Sequence, residues 1–246
     1  MTSVKNIAII ISTFDGAKDL WSPLEDNYKK FWADCSFPIY LTTNFESPVF
    51  DFFLPLSIGQ EESWSDNLIK SLMKIEQEYV LLTFDDLFLV DKVDNQRIKA
   101  LMNVAVERDY NYLQFYRSIS RGKSIGGGLF RKAKNAKYKN STIWSFWKKE
   151  VLISLLQKDE NAWEFEVKGN SRSAYIDGFY STKSNIIPFV NAVIKGFWNP
   201  VAKNQIKNLG IELSASRKSL SFFESIKYQI RDFQFNVYTY LIHLIY

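Results

Sequence analysis

The stretch Tyr79-Val80-Leu81-Leu82-Thr83-Phe84-Asp85-Asp86-Leu87-Phe88-Leu89 decides how the chain is read. A short apolar run of this kind predicts a buried strand. It stops at two adjacent carboxylates. Burying two like charges is costly unless they meet a cation or reach solvent. At the carboxyl end of a central strand they would stand where open α/β sheets bind ligands. Their simplest chemical use is a divalent cation that also holds phosphate oxygens. A strand-end turn with two solvated acids is the alternative.

The elements around this strand alternate. Upstream, Ile7 to Ser12 predicts a first buried strand with a loop at Thr13-Phe14-Asp15-Gly16, and Leu20 to Trp32 predicts a helix with Pro23 in its first turn. Phe37 to Thr43 and Phe52 to Leu56 read as strands, and Ser65 to Glu78 as a helix capped by Ser63 or Ser65. Downstream, Asp94 to Arg108 reads as a helix and Tyr110 to Tyr116 as a strand. Such alternation predicts an α/β domain with a largely parallel sheet. Ile143 to Gln157 also carries a helical pattern, through Trp144, Trp147, Val151, Leu152 and Leu155. With no internal repeat or linker, the domain is expected over residues 1–215, with a C-terminal appendage at 216–246.

Composition limits the chemistry. The chain has 246 residues, of which 46% are hydrophobic and 16% aromatic, enough for a sizeable core. Cys35 is the only cysteine, so no internal disulfide forms and a reducing compartment fits. His243 is the only histidine, which argues against Ser-His-Asp catalysis and multi-histidine zinc sites. Acid-base work then falls to carboxylates, and a metal would be held by oxygen. No stretch is apolar for long enough to span a bilayer.

Three further segments carry possible function. In Trp163-Glu164-Phe165-Glu166, an extended or turn conformation would point both glutamates the same way, and a carboxylate beside apolar rings can serve as a general base. A surface segment with solvated acids is the plainer reading. From Arg117 to Asn140 the chain has eight basic residues and no acid, around Gly126-Gly127-Gly128. This reads as a solvated loop, a phosphate-binding flap or a nucleic-acid contact, with a hairpin near Gly126–Phe130. No nucleic-acid module accompanies it, and the glycine spacing is neither of Rossmann nor of P-loop type. From Phe223, apolar residues at Ile226, Ile230, Phe233, Val237, Tyr240 and Leu244 form one stripe of a long helix. That stripe suits core docking, a membrane surface or a homodimer contact.

Taken in order, Trp64-Ser65-Asp66-Asn67-Leu68, the Tyr79–Leu89 stretch, Trp144 to Leu152, Glu160 to Glu166 and Ala192 to Trp198 resemble bacterial glycosyltransferases of GT-A type that build surface polysaccharides. The resemblance runs from about Ile7 to Gly210. It implies a GT-A-like α/β sheet, a nucleotide-sugar donor with a UDP-sugar as the leading class, and a saccharide or lipid-linked saccharide acceptor. By position, Asp85 and Asp86 would hold Mg²⁺ or Mn²⁺ and the diphosphate, although adjacent aspartates depart from the D-x-D spacing. Thr13 and Asp15 would lie near the nucleoside, Asp66 and Asn67 would line the base or sugar side, and Glu166 would take the catalytic-base position. Basic groups from Arg117 to Lys139 would stabilise the departing diphosphate, and a single displacement would invert the anomeric centre. The tail would hold the enzyme at the cytoplasmic face of the plasma membrane. Two other classes are weighed beside it. A phosphatase using Asp85 as nucleophile would want a second acid where Leu87 stands. A non-catalytic membrane- or nucleic-acid-binding protein would use the basic loop and the tail.

Overall fold

The computed structural model describes residues 6–116, 118, 122–136, 138–221 and 223–228. Its strands are β1 (Ile7–Ser12), β2 (Ile39–Thr43), β3 (Leu54–Ser57), β4 (Tyr79–Phe84), β5 (Leu87–Leu89), β6 (Tyr112–Gln114), β7 (Lys123–Gly126), β8 (Leu129–Arg131), β9 (Ser145–Lys148), β10 (Phe179–Thr182), β11 (Phe189–Asn191), β12 (Val193–Ile194) and β13 (Phe197–Trp198). Its helices are α1 (Trp21–Phe31), α2 (Trp64–Lys74), α3 (Asn95–Glu107), α4 (Lys149–Leu155), α5 (Ala162–Ser173) and α6 (Pro200–Asn208), with a 3₁₀ turn at Asp15–Leu20 before α1.

Nine strands form one sheet in the order β3-β2-β1-β4-β9-β6-β10-β8-β7. β1 pairs in parallel with β2 and β4, and β2 with β3. β9 runs antiparallel to both β4 and β6, which restores the first direction in β6 and β10. The sheet is therefore mixed, with most strands pointing one way. β4 and β1 lie near its middle and are buried on both faces, which explains their unbroken apolar runs. Ile7, Ile9, Ile11 and Leu81 face a core shared with Leu24, Tyr28, Ile98 and Met102 from α1 and α3. Ala8, Ile10, Val80 and Leu82 face the opposite core with Leu68, Leu72, Leu152 and Phe165 from α2, α4 and α5. The alternation is the period-two geometry of a strand.

Two expectations are corrected. Only the second half of Ile143–Gln157 is helical: Ser145–Lys148 is the strand β9, inserted between β4 and β6. Trp144 and Trp147 are both fully buried, so their spacing imitated a helix face while the segment was enclosed as a strand. Trp163–Glu166 is not extended but opens α5. Asn161 caps this helix, and Glu164 returns a bond to the Asn161 N–H, a complete capping box. On a helix, Glu164 and Glu166 diverge, because successive residues turn by about 100°.

The basic segment does form the expected hairpin, β7–β8. Two of its lysines point inward, against the reading of the whole segment as a solvated or phosphate-binding run. Lys132 Nζ donates to Gln114 Oε1 (2.6 Å) and to the carbonyls of Tyr138 (3.1 Å) and Lys139 (2.7 Å). Lys139 Nζ donates to the carbonyl of Ser173 at the end of α5 and to that of Ile176. For Lys139 the Ser173 carbonyl is a free helix-end acceptor, whereas Lys132 is held by a side-chain amide and two loop carbonyls. Arg117, Arg121 and Lys137 lie outside the described residues, as does the expected tail stripe from Ile230 to Leu244. Residues 223–228 are helical. Among the described residues, no helix is long and apolar enough to cross a membrane.

Candidate active site

The carboxyl ends of β1, β2 and β4 are stitched together by side chains. Thr13 N–H donates to Thr42 Oγ1 (2.8 Å), and Thr42 Oγ1 donates to the Thr13 carbonyl (2.8 Å). Thr13 Oγ1 accepts from the Trp21 indole N–H (2.9 Å) and donates to Asp85 Oδ2. The turn after β4 is thus tied to the loop after β1. From the other side, the Asp86 carbonyl accepts from Ala192 N–H (2.7 Å), and β5 pairs with β11. These contacts hold Asp85 and Asp86 at the sheet edge that the apolar run predicts.

Both carboxyl groups have pKa values raised above the ordinary carboxylate range. For Asp85 the main cause is burial, offset in part by the Thr13 hydroxyl and the charge of Arg217. For Asp86 burial again leads, followed by repulsion from Asp85. Two adjacent carboxylates whose anionic forms are disfavoured call for a nearby cation. Their hard oxygen donors fit Mg²⁺ or Mn²⁺. Among the described residues no group of three or more His, Cys, Asp or Glu side chains could enclose a metal. Phosphate oxygens and water would therefore complete the coordination, the common arrangement for Mg²⁺.

Beside Asp85 lies a cavity of about 290 Å³ lined by Ser12, Thr13, Phe14, Glu61, Trp64, Asn67 and Phe84. Trp64 stacks on Phe84 (6.2 Å between ring centres) and packs against Phe165 of α5 (5.6 Å). Its indole N–H donates to Ser12 Oγ (3.1 Å). Asn67 Oδ1 accepts from Glu62 N–H (3.1 Å). Aromatic faces with a few directed polar groups are what a planar heterocycle needs.

The other expected site residues sit as follows. Asp15 receives the N–H groups of Asn44 (2.8 Å), Phe45 (2.9 Å) and Glu46 (3.1 Å). Burial pushes its pKa up, but these backbone bonds outweigh that effect and leave it lowered. It clamps the loop after β1 to the loop after β2. Asp66 accepts from Ser63 Oγ (2.5 Å) and Asp159 N–H (3.0 Å), and those bonds lower its pKa. It joins the start of α2 to the loop before α5 and does not line the cavity, whereas its neighbour Asn67 does. Glu166 Oε1 accepts from Ser141 Oγ (2.8 Å), Thr142 N–H (2.6 Å) and Thr142 Oγ1 (3.0 Å). The structure thus gathers Thr13, Asn67 and Asp85 around one cavity, with Asp86 alongside. Arg117 lies outside the described residues.

Arg217 is not among the residues the sequence singled out, yet its positive charge works against the burial that raises the pKa values of Asp85 and Asp86. Its carboxylate partner, Asp19, is 198 residues away in the chain, so no local signal could have joined them. Trp64 and Phe84 stood in the quoted motifs, but their stacking in the cavity wall needed the fold.

No protein-family model matches the chain, and no curated protein matches it. Among solved structures it is similar to the mannosyltransferase PcManGT from Pyrobaculum calidifontis in complex with GDP-Man and Mn²⁺, at 12% identity and a TM-score of 0.52, covering 85% of this chain and 66% of that one. It is also similar to residues 1–349 of TarS from S. aureus, at 12% identity and a TM-score of 0.48, covering 83% of this chain and 64% of that one. A UDP-glucose pyrophosphorylase complexed with UDP-glucose is similar at 8% identity and a TM-score of 0.47, over 75% of this chain and 91% of that one. The chain thus spans slightly less than two thirds of the first two. Its fold is α/β and GT-A-like: a mixed sheet of mostly parallel strands flanked by helices.

Proposed function

We propose that the protein is a nucleotide-sugar-dependent glycosyltransferase acting on a saccharide hydroxyl. The observation that carries this reading is the Asp85-Asp86 turn at the carboxyl end of β4, beside an aromatic cavity at the ligand-binding edge of a GT-A-like sheet. The nucleoside would enter the cavity lined by Trp64, Phe84 and Phe14, with Thr13 and Asn67 as polar contacts. Asp85 and Asp86 would hold Mg²⁺ or Mn²⁺, which supplies charge neutralisation for the diphosphate. Asp15 and Asp66 support the loops that shape the site. Surface-polysaccharide synthesis, a lipid-linked acceptor, a homodimer contact and a cytoplasmic membrane-surface role for residues 216–246 extend this reading from the sequence resemblance.

In the proposed reaction, Glu166 accepts the proton of the acceptor hydroxyl. The oxygen attacks the anomeric carbon as its bond to the diphosphate oxygen breaks, and the configuration inverts. Three hydrogen bonds converge on Glu166 Oε1 from Ser141 and Thr142, which orients the carboxylate. Glu166→Gln retains an oxygen for these donors but has no base. It is expected to lower kcat by roughly 10²–10⁴-fold while leaving the melting temperature nearly unchanged. Activity that survives together with a large loss of stability would make Glu166 a loop clamp instead.

Thermal unfolding against UDP, GDP and their sugars, with Mn²⁺, Mg²⁺ or chelator, tests the donor. A donor at about a hundred times its dissociation constant stabilises the fold by roughly 2.7 kcal/mol. The neighbours solved with GDP-Man and with UDP-glucose make both bases part of the panel. Absence of any shift across the panel would remove the nucleotide-sugar reading.

A further inference from the structure

We propose that Arg217 is a ligand for the donor's diphosphate that Asp19 holds in reserve. On binding, the guanidinium exchanges its carboxylate partner for phosphate oxygens. This inference rests on the glycosyltransferase reading and adds a residue that the sequence did not assign to the site.

Arg217 Nε donates to Asp19 Oδ2 (2.9 Å) and Nη2 to Asp19 Oδ1 (2.6 Å), a two-bond fork. Nη1 donates to the Gly196 carbonyl (3.0 Å). The pair is largely withdrawn from water, with the two side chains 13% and 19% exposed. A guanidinium fork accepts a carboxylate or a phosphate with the same geometry, so Asp19 occupies the position a phosphate would fill. The pair lines an open cavity of about 580 Å³ that also carries Lys18 and Lys218. Short backbone steps tie this pair to the acidic turn: Trp198 N–H donates to the Lys218 carbonyl (2.9 Å), Asn199 N–H to the Ala192 carbonyl (2.8 Å) and Ala192 N–H to the Asp86 carbonyl (2.7 Å), so the two features belong to one charge cluster.

The cavity and the turn together carry four carboxyl groups, Asp15, Asp19, Asp85 and Asp86, and three basic groups, Arg217, Lys18 and Lys218, of which Lys18 is paired with Glu46 (2.7 Å). A diphosphate approaching this acidic surface gains attraction when the Arg217 guanidinium is released toward it. Asp19 competes for that cation and adds to the repulsion. The backbone around Arg217 is fixed: Trp198 N–H donates to the Lys218 carbonyl (2.9 Å) and Leu220 N–H to the Trp198 carbonyl (3.0 Å). The exchange is accordingly assigned to rotation of the Arg217 side chain.

A purely structural ion pair and a reserve ligand predict different signs. If the pair only pins the C-terminal segment, Asp19→Asn and Arg217→Gln both weaken nucleotide binding or both leave it unchanged. If Arg217 is held in reserve, Arg217→Gln weakens and Asp19→Asn strengthens it. Calorimetric titration of the full chain with UDP and GDP, and with uridine and guanosine, separates the two, each with Mn²⁺ and with chelator. We expect Arg217→Gln to weaken binding of the diphosphate about tenfold or more and to leave the nucleoside unchanged. Asp19→Asn should tighten the diphosphate severalfold. Should Arg217→Gln fail to fold, Arg217→Lys and Asp19→Asn still report the opposite signs. Equal losses, or no change, in the two variants overturn the proposal. A wild-type chain that binds neither diphosphate overturns the glycosyltransferase reading itself, and this inference with it.

Discussion

Asp86→Asn is expected to abolish sugar transfer and to make the folded protein more stable at pH 8. Function and stability diverge here because the site concentrates negative charge where water is scarce. Losing one anionic ligand of the diphosphate-binding cluster should cost at least about 100-fold in kcat/KM. The stability effect has the opposite sign. In the folded chain burial and Asp85 raise the pKa of Asp86 above its ordinary 3.8. A raised carboxylate contributes stability that is complete below the unfolded value and is lost as pH rises through the folded value. The wild type therefore loses stability between pH 4 and about 7, and asparagine removes that loss. The gain above this window should be on the order of 1–2 kcal/mol, reduced by the partial access of the side chain to solvent. Urea unfolding of both proteins at pH 5 and pH 8, beside an activity assay, checks both halves. Full activity in the variant would remove Asp86 from the site, and lower stability at pH 8 would refute the electrostatic account.

Trp147→Ala should be among the most damaging single truncations in the fold. Trp147 is fully buried in β9, with ring centres 4.4 Å from Tyr112, 5.8 Å from Phe179 and 6.2 Å from Phe165. Its indole N–H donates to Ser145 Oγ (2.9 Å). Removing it leaves a cavity between the sheet and α5, at a cost of about 3–5 kcal/mol. A domain of ordinary stability holds only about 5–15 kcal/mol in total. Phe165 loses part of its support, and Glu166 is the next residue on that helix, so activity should fall with stability. Trp147→Phe keeps an aromatic contact and should recover most of the loss. A denaturation midpoint for Trp147→Ala close to that of wild type would show that β9 does not hold the sheet and α5 together.

How far the sequence could be read depended on whether local pattern and tertiary role agreed. Tyr79–Phe84 is a central strand and looks like one, because burial on both faces demands an apolar run. The capping box of α5, Asn161 three residues before Glu164, went unread because the alternation of Trp163-Glu164-Phe165-Glu166 suggested an extended segment. Trp147 lies in a strand enclosed between two others and Trp144 in the turn before it, and almost every position there is buried, so the helical spacing of the two reflected no helix face.

By itself, the sequence determined the alternation of strands and helices, the apolar course of β1 and β4 and the acidic pair that ends β4. It also confined candidate acid-base chemistry to carboxylates by supplying a single histidine and a single cysteine. These follow from backbone periodicity and residue chemistry, which act over a few neighbours. Only the tertiary structure decided that β9 runs antiparallel between β4 and β6, that Lys132 and Lys139 turn inward, and that Arg217 meets Asp19 beside the acidic turn. Burial of a charge, and the partner that makes burial tolerable, depend on which distant segments meet, and local sequence carries no term for that encounter.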